Sequence, residues 1–260
     1  MFDLNLIFIP LFGFLVGLLV STLGGGGGGL YVPILTLIFG VPPQVAVATS
    51  LASVLPTTAA GAVSHYREGN VDIRTGFILG IGGIIGTLIG AYIANMIPPL
   101  ILKKALGVFL LIMLVPTIRS LLKRHEVERD ENKKTITLTG YKRFLASFFG
   151  IISGLMAGVF GLSGTPPVSI GLYSLGLPAI MVVGTTVFVL IFNSITGIGS
   201  YYLLGRLDIP LIILLGSGAV VGAFLGPLLL KRMDEKTFEK IYGPVIVSIS
   251  LILSLGLILS

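Results

Sequence analysis

The sequence predicts an all-α polytopic membrane protein made of two inverted-topology repeats, each a broken re-entrant helical hairpin plus three transmembrane helices. Three observations lead to this fold class. Of the 260 residues, 54% are hydrophobic and 11% are charged, with a mean hydropathy of +1.05, whereas soluble domains carry about 25% charged residues. Long apolar runs fill most of the chain. Matching residues also recur at a separation of 136 positions.

Each transmembrane helix is predicted from an apolar run, because crossing the hydrocarbon core takes about 20 apolar residues. The long runs, in chain order, are 5–23, 43–65, 75–96, 103–121, 144–160, 179–204, 209–230 and 241–260. Two short runs, 30–40 and 167–177, follow glycine-rich stretches, and a helix of that length reaches only about 16 Å. We predict that these two segments re-enter the membrane, although a full crossing by either stays open.

The chain divides into two membrane repeats, 1–122 and 144–260, joined by a polar cytoplasmic connector at 123–143. Internal repeats are typical of secondary transporters. Pairs matched at the 136-residue separation include Thr49 with Thr185, Gly61 with Gly197, Tyr66 with Tyr202 and Asp72 with Asp208.

The distribution of positive charge favours inverted over parallel repeats. A re-entrant hairpin followed by three crossings makes the number of crossings odd, so the second repeat faces the opposite way. With the connector inside, loops 66–74 and 231–240 also lie inside, and only Lys103, Lys104 and Arg206 lie outside. Cytoplasmic loops carry such an excess of Lys and Arg, and parallel repeats would move 231–240 outside. We therefore expect a multi-pass protein of the plasma membrane with both termini extracytoplasmic.

Composition and motifs exclude several function classes. The chain has no cysteine and only two histidines, so we expect no disulfide, no thiolate chemistry and no metal centre such as zinc. No P-loop, catalytic dyad or triad is present, which argues against an enzyme, a cofactor or ATP-driven transport. The net charge of +6 is attributed to cytoplasmic loops, not to nucleic acid binding. No charged side chain lies well inside a predicted span, so the protein must bind an anion with neutral donors or couple its driving ion through backbone carbonyls.

The two broken hairpins are the predicted binding elements. Non-helical backbone at membrane depth persists only where protein buries it or where it lines a cavity. Each hairpin tip precedes the N-terminus of a half-helix, whose free N–H groups and dipole attract anions, and glycines let backbone amides approach a ligand. The alternative is that these glycines only allow close helix packing. The candidate residues are Gly24, Gly25, Gly26, Gly27, Gly28 and Gly29 in the first tip and Ser163, Gly164 and Thr165 in the second.

Polar side chains in the helix after each half-helix are predicted to complete an anion pocket. The pairs Thr49–Ser50 and Thr185–Thr186 occupy equivalent positions in the two repeats. Asn193 is the most polar residue of its helix. Hydrogen bonds to backbone carbonyls or to neighbouring helices are the alternative role for these side chains.

Other residues are assigned structural roles. Asp72 and Asp208 each precede a helix and are predicted N-caps, and Pro166 or Pro167 suits the first turn of the second half-helix. Two small-xxx-small faces are predicted to pack helices of the two repeats together. These faces consist of Gly82, Gly86 and Gly90 in the first repeat and Gly218, Gly222 and Gly226 in the second.

Two stretches carry a resemblance to a known family. The chain reads GLLVSTLGGGGGGLYVPIL and then GVPPQVAVATSLASV, with a degenerate second copy in the other half. Over about residues 8–258 it resembles the TauE/SafE permeases, also called the toluene sulfonate uptake permease family. The resemblance implies transport of sulfur-containing anions such as sulfite and organosulfonates, with Gly24–Gly29, Thr49 and Ser50 at the site. The second copy reads GLSGTPP, where Ser163 and Thr165 replace glycines, so hydroxyl contacts are expected there.

Together these features predict a secondary transporter for a small sulfur-containing anion, working by alternating access with the anion between two half-helix N-termini. The expected partners are the anion, membrane lipid and H⁺ or Na⁺ as a coupling ion. A homo-oligomer and the direction of transport stay open. The alternatives are an anion channel of the same fold and a non-transporting membrane scaffold.

Overall fold

Ten α-helices form the part of the chain that the computed structural model describes, which comprises residues 4–21, 28–123, 140–230 and 235–260. No strand occurs in these ranges, so the predicted all-α fold is confirmed. Gly24–Gly27 of the first tip and most of the connector lie outside them. The helices are α1 (Leu4–Ser21), α2 (Gly28–Leu37), α3 (Pro43–Arg67), α4 (Ile73–Met96), α5 (Pro99–Lys123), α6 (Gly140–Phe160), α7 (Thr165–Ser174), α8 (Ala179–Leu203), α9 (Ile209–Leu230) and α10 (Glu235–Leu259).

Five helices within the described ranges are long and apolar enough to cross a membrane. They are α3, α4, α6, α8 and the Ile209–Gly226 part of α9. Shorter apolar stretches lie in α1, at Phe8–Leu19, and in α10, at Val247–Leu259. The chain is therefore a multi-pass membrane protein. The two short helices, α2 and α7, have 10 residues each, too few to span the hydrocarbon core.

Helix ends follow the chemistry of their flanking residues. The Asp72 carboxylate accepts a hydrogen bond from the N–H of Thr75 at 3.1 Å, and Asp208 accepts one from the N–H of Leu211 at 3.0 Å, so both predicted N-caps are confirmed. Gly69 and Gly205 follow the ends of α3 and α8 with φ of +71° and +66°, a conformation that favours glycine. The same turn therefore recurs in both halves of the chain.

The helix boundaries carry the same repeat as the sequence. The helices α3 and α8 each have 25 residues and begin 136 positions apart, and so do α5 and α10. The starts of α4 and α9 are also separated by 136 positions. The prolines at the start of α7 occupy its first turn, as predicted from their missing N–H groups.

The glycine faces join one half of the chain to the other, as predicted. A Cβ atom built on Gly82 of α4 would lie 2.6 Å from the carbonyl oxygen of Ser147 in α6, and one on Gly86 would collide with the Ile151 carbonyl. In the other half, Cβ atoms on Gly218 and Gly222 of α9 would collide with backbone carbonyls of α1. Only glycine permits such close backbone contact between helices.

The order of these contacts gives the relative directions of the helices. Contacts between α4 and α6 advance together along both helices, so the two helices are parallel. In contrast, α3 and α8 are antiparallel, because Gly61 lies beside Val187 while Gly197 lies beside Leu51. Equivalent helices that run in opposite directions are what inverted repeats require. The inverted arrangement across the membrane remains our prediction.

Two buried apolar clusters surround the half-helices. The first is centred on α2 and α3 and contains Val32, Leu35 and Leu51. The second is centred on α7 and α8 and includes Val168 and Leu172. The described part of α2 from Leu30 to Thr36 is therefore buried in protein, whereas α7 buries one face and exposes Ile170 and Tyr173.

Candidate functional site

The start of α2 lies against the second hairpin tip, residues 161–164 between α6 and α7. A Cβ atom built on Gly161 would lie 2.8 Å from a methyl carbon of Val32 in α2 and 3.0 Å from the Cα of Val47 in α3. A Cβ atom on Gly29 would lie 3.9 Å from Cδ2 of Leu162. The described part of the first hairpin and the second tip are therefore in direct contact, as the predicted pair of hairpins requires.

The second tip has an unusual backbone. Gly161, Ser163 and Gly164 have φ of +69°, +52° and +78°, and Ser163 is the one non-glycine residue with a positive φ within the described ranges. A side-chain-bearing residue in this conformation costs about 1–2 kcal/mol. Such strain persists only where the surroundings hold it in place, and neighbouring side chains do so here.

Four carbonyl groups around the second tip accept hydrogen bonds from side chains. Because the N–H and C=O of a peptide unit point in opposite directions, holding a carbonyl also aims the amide that follows it. The donors come from α3, α6 and α8, so three helices together fix the tip. The bonds run from Tyr201 to Gly158 at 2.7 Å, from Ser50 to Gly161 at 2.9 Å, from Asn193 to Ser163 at 3.1 Å and from Ser153 to Gly164 at 2.8 Å.

Asn193 is the centre of this arrangement. Its Nδ2 also donates to the Ser153 hydroxyl at 2.9 Å, so one amide group connects α8, α6 and the tip. Its Oδ1 has no hydrogen-bond partner among the described residues. That oxygen lies against Gly83 of α4, where an added Cβ would collide with it. Asn193 is fully buried, so its amide can hold the tip without competition from solvent.

The predicted hydroxyl pairs make different contacts in the two halves. Ser50 donates to the Gly161 carbonyl, whereas its counterpart Thr186 lies 3.4 Å from the Ser169 hydroxyl of α7. Thr185 accepts from the backbone N–H of Asp72 at 2.9 Å, whereas Thr49 has no partner among the described residues. A role for these four side chains as anion ligands stays a prediction.

The two half-helices present different donors. The first turn of α2 begins with Gly28, Gly29 and Leu30, all of which have an N–H group. In α7 the first turn begins Thr165-Pro166-Pro167, so two of its first three residues have none. The Ser163 and Thr165 hydroxyls lie 3.4 Å apart at that end. Main-chain donors are therefore concentrated at α2, and hydroxyl groups at α7.

Three important residues were not predicted as part of the site: Ser153, Tyr201 and Gly83. A polar side chain in an apolar span needs a partner, which would have marked Ser153 and Tyr201 as structural donors. Gly83 falls outside the four-residue spacing of the glycines that pack against α6, which is a sign that a different neighbour approaches it. None of these signals identifies the partner, because the partners are distant in sequence.

The described structure is all-helical and multi-pass, and its first half-helix contacts the tip that precedes the second. The family model described as "Sulfite exporter TauE/SafE" matches residues 9–253. The chain belongs to this family, and it is therefore a membrane transporter and not an enzyme.

Curated relatives agree with this assignment. The chain is 34% identical over 215 residues to the "Probable membrane transporter protein YdhB" of Bacillus subtilis, covering 82% of this chain and 85% of the relative. It is 27% identical to YunE of the same organism, with coverage of 95% and 96%. It is 28% identical to MJ0441 of Methanocaldococcus jannaschii, with coverage of 89% and 90%. No solved structure matches the chain.

Proposed function

We propose that the protein is a secondary transporter that carries a small sulfur-containing anion, such as sulfite or an organosulfonate, by alternating access. The observation that carries this proposal is the contact between the start of α2 and the second tip. Gly29, in the first turn of α2, lies near Leu162 of this tip; Ser163 and Thr165 follow in the chain, with their hydroxyls 3.4 Å apart. The family description, which names sulfite export, supports the choice of a sulfur oxyanion.

The proposed anion site works without a charged partner. The helices that meet there, α2, α3, α7 and α8, contain no Asp, Glu, Lys or Arg apart from Arg67 at the last position of α3. Helix N-termini carry roughly half a positive charge and contribute up to about 2 kcal/mol to a buried anion. Dipoles of this size suit one negative charge better than two, because desolvating a dianion costs far more. We therefore expect monoanionic sulfonates to be preferred over sulfate.

The way the two halves are joined supports alternating access. Each glycine-packed pair, α1 with α9 and α4 with α6, combines one helix from each half. These pairs are expected to move as units, since their backbones are in contact. The antiparallel pair α3 and α8 also joins the two halves, at the helices that follow the half-helices α2 and α7. We place the protein in the cytoplasmic membrane with extracytoplasmic termini, from the charge pattern described above.

Flux measurements in proteoliposomes test the proposal. Sulfite, an alkyl sulfonate, sulfate and a carboxylate should be compared as substrates under imposed pH and sodium gradients. Saturable flux with counterflow of a sulfonate or sulfite is expected. Large uncoupled conductance would identify an anion channel instead. If the folded protein carries none of these anions, the proposal is wrong.

A matched pair of variants locates the site. Gly29→Leu would place a branched side chain between α2 and Leu162, so it should abolish flux. Gly199→Leu serves as the control, because Gly199 is exposed on α8 and an added Cβ has no neighbour within 4 Å. Equal flux in both variants would contradict the proposed position of the anion.

A further inference from the structure

Two buried hydroxyl groups on α3 lack any hydrogen-bond partner among the described residues. They belong to Thr49 and Ser53, and both side chains are 0% exposed. The two residues are one helical turn apart, so they lie on the same side of α3. A buried hydroxyl without a partner is destabilising. Two such groups on one side of a helix leave both hydroxyls free to contact a ligand.

A third oxygen on this side of α3, the backbone carbonyl oxygen of Ala52, lacks its usual hydrogen-bond donor within the helix. Pro56 lies inside the helix and has no N–H to donate to the carbonyl of Ala52, four residues earlier. Ala52 is next to Ser53 and three residues after Thr49, on the same side of the helix. The segment therefore offers two hydroxyl oxygens and one backbone carbonyl oxygen close together.

The neighbouring helix α9 leaves space beside Ser53. Gly216 of α9 faces the segment, and a Cβ atom built on it would have one heavy atom within 4 Å, the Ser53 hydroxyl oxygen at 3.8 Å. In the other half, a Cβ atom on the equivalent Gly80 would lie 2.7 Å from the ring of Phe192, and one on Gly76 would lie 2.7 Å from the ring of Phe188.

The sequence repeat explains this difference in space. At the 136-residue separation, Phe188 and Phe192 correspond to Ala52 and Pro56. Two aromatic rings thus contact α4 from α8, whereas the smaller Ala52 and Pro56 occupy the equivalent positions of α3. The unpartnered hydroxyl of Ser53 is found in the half without the rings.

We propose that Thr49, Ser53 and the Ala52 carbonyl bind a monovalent alkali cation, Na⁺ in the first instance, between α3 and α9. Hard cations take oxygen ligands, and Ca²⁺ or Mg²⁺ sites use carboxylates, which are missing from α3 and from the Ile209–Leu230 helix α9. A proton has no acceptor that titrates here, because the nearest titratable side chain on α3, His65, is about 18 Å along the helix. Carbonyls released by helix breaks coordinate Na⁺ in other transporter folds.

The position of this site relative to the second tip gives the cation a function. Ser50 lies between the proposed ligands on α3, and its hydroxyl holds the Gly161 carbonyl. A cation that orders residues 49–53 therefore also orders the donor that fixes the tip. This coupling role rests on the proposed transport function, whereas the binding site itself does not.

Binding is tested without any transported anion. The purified protein in detergent is unfolded by heat in NaCl, KCl or choline chloride of equal concentration. Na⁺ should raise the melting temperature relative to choline, and the shift should grow with concentration, as a ligand of the folded state requires. If Na⁺ and choline give the same melting temperature at every concentration, the site does not bind Na⁺ and the proposal is overturned.

Variants test whether stabilisation by Na⁺ depends on the proposed ligands of α3. Ser53→Ala should weaken the apparent Na⁺ affinity by at least about tenfold, which is the loss typical of a damaged metal site. Ser194→Ala is the matched control, because it removes another fully buried, unpartnered hydroxyl, on α8. It should leave the Na⁺ response unchanged. If Ser53→Ala does not fold, Pro56→Ala replaces it, since it supplies the missing N–H to the Ala52 carbonyl. A Na⁺ response that persists undiminished in the folded variants overturns the assignment.

The two proposals fail in different ways. A Na⁺-specific stabilisation that Ser53→Ala removes, with no anion flux in liposomes, would reject the transport proposal and keep the cation site. Anion flux that ignores a sodium gradient, with no stabilisation by Na⁺, would reject the cation site and keep the transport proposal.

Discussion

The contact between Gly83 and Asn193 leads to a sharp prediction about stability. In Gly83→Ala, the new Cβ would collide with the Asn193 Oδ1, which displaces the side chain that holds the second tip. Overpacking of this kind costs about 1–3 kcal/mol. Alanine recovers up to about 1 kcal/mol in helix propensity. We therefore expect the free energy of unfolding to fall by about 1–2 kcal/mol.

The same collision makes the effect depend on Asn193. In Asn193→Ala, the bonds to Ser153 and to the Ser163 carbonyl are lost. Side-chain hydrogen bonds within membranes average about 0.6 kcal/mol, with a maximum of about 1.7 kcal/mol, so this variant should lose about 1–3 kcal/mol. With the amide gone, Gly83→Ala has nothing to collide with and should stabilise by up to about 1 kcal/mol. The coupling between the two substitutions is then about 1–3 kcal/mol, which is the overpacking cost itself.

A double-mutant cycle measures this coupling directly. The four proteins are unfolded in mixed micelles with increasing denaturing detergent, and helix content is followed by circular dichroism. Gly199→Ala provides the reference for an alanine without close neighbours, because nothing lies within 4 Å of its added Cβ. Additive effects of the two substitutions, within about 0.5 kcal/mol, would refute the proposed contact between Asn193 and Gly83.

Three further predictions concern single positions, each measured as the free energy of unfolding in the same assay. Tyr201→Phe removes the 2.7 Å bond to the Gly158 carbonyl and should cost about 1 kcal/mol; an unchanged stability would show that this carbonyl finds another donor. Asp72→Ala removes the N-cap of α4 and should cost about 1 kcal/mol, whereas Asp72→Asn should retain most of that stability. Gly222→Ala would drive a Cβ into the Phe14 carbonyl of α1 and should cost more than about 1 kcal/mol; a neutral effect would contradict the close packing of α1 on α9.

Local chemistry made much of the fold predictable. Apolar runs predicted the positions of the helices. Asp72 and Asp208 predicted where α4 and α9 begin, because an N-cap needs only a neighbouring backbone N–H. The four-residue spacing of glycines predicted close contact between the two halves. The repeat was visible for the same reason: helix ends, turns and glycine faces all depend on short stretches of sequence.

The partners of the polar side chains could not be predicted in this way. Ser50 and Thr186 are equivalent in sequence, yet one holds a tip carbonyl and the other lies beside Ser169. Thr185 contacts a backbone N–H 113 residues away in the chain. A hydroxyl can bond its own helix or a distant one at similar cost, so its sequence position does not determine which bond forms. The packing of the helices determines which hydrogen bond each hydroxyl forms.

The two halves have therefore kept the same scaffold while their polar contacts have diverged. Asn193 holds the second tip, but its counterpart Thr57 donates to the Val54 carbonyl of its own helix at 2.7 Å. In the proposed alternating-access cycle, two identical repeats would give the inward-facing and outward-facing states equal energies. We expect contacts made by only one half to remove that equality, because such a contact favours the state in which it forms.

This bias can be tested at the second tip. If the Asn193 contacts form in only one of the two states, Asn193→Ala should change the accessibility of a single cysteine at position 29, placed in a chain that has no other cysteine, from one side of the membrane relative to the other. Thr57→Val, which breaks a bond within one helix, should leave the ratio of labelling from the two sides unchanged. Equal labelling ratios in all three proteins would show that the Asn193 contacts do not favour one state over the other, and the proposed bias would be wrong.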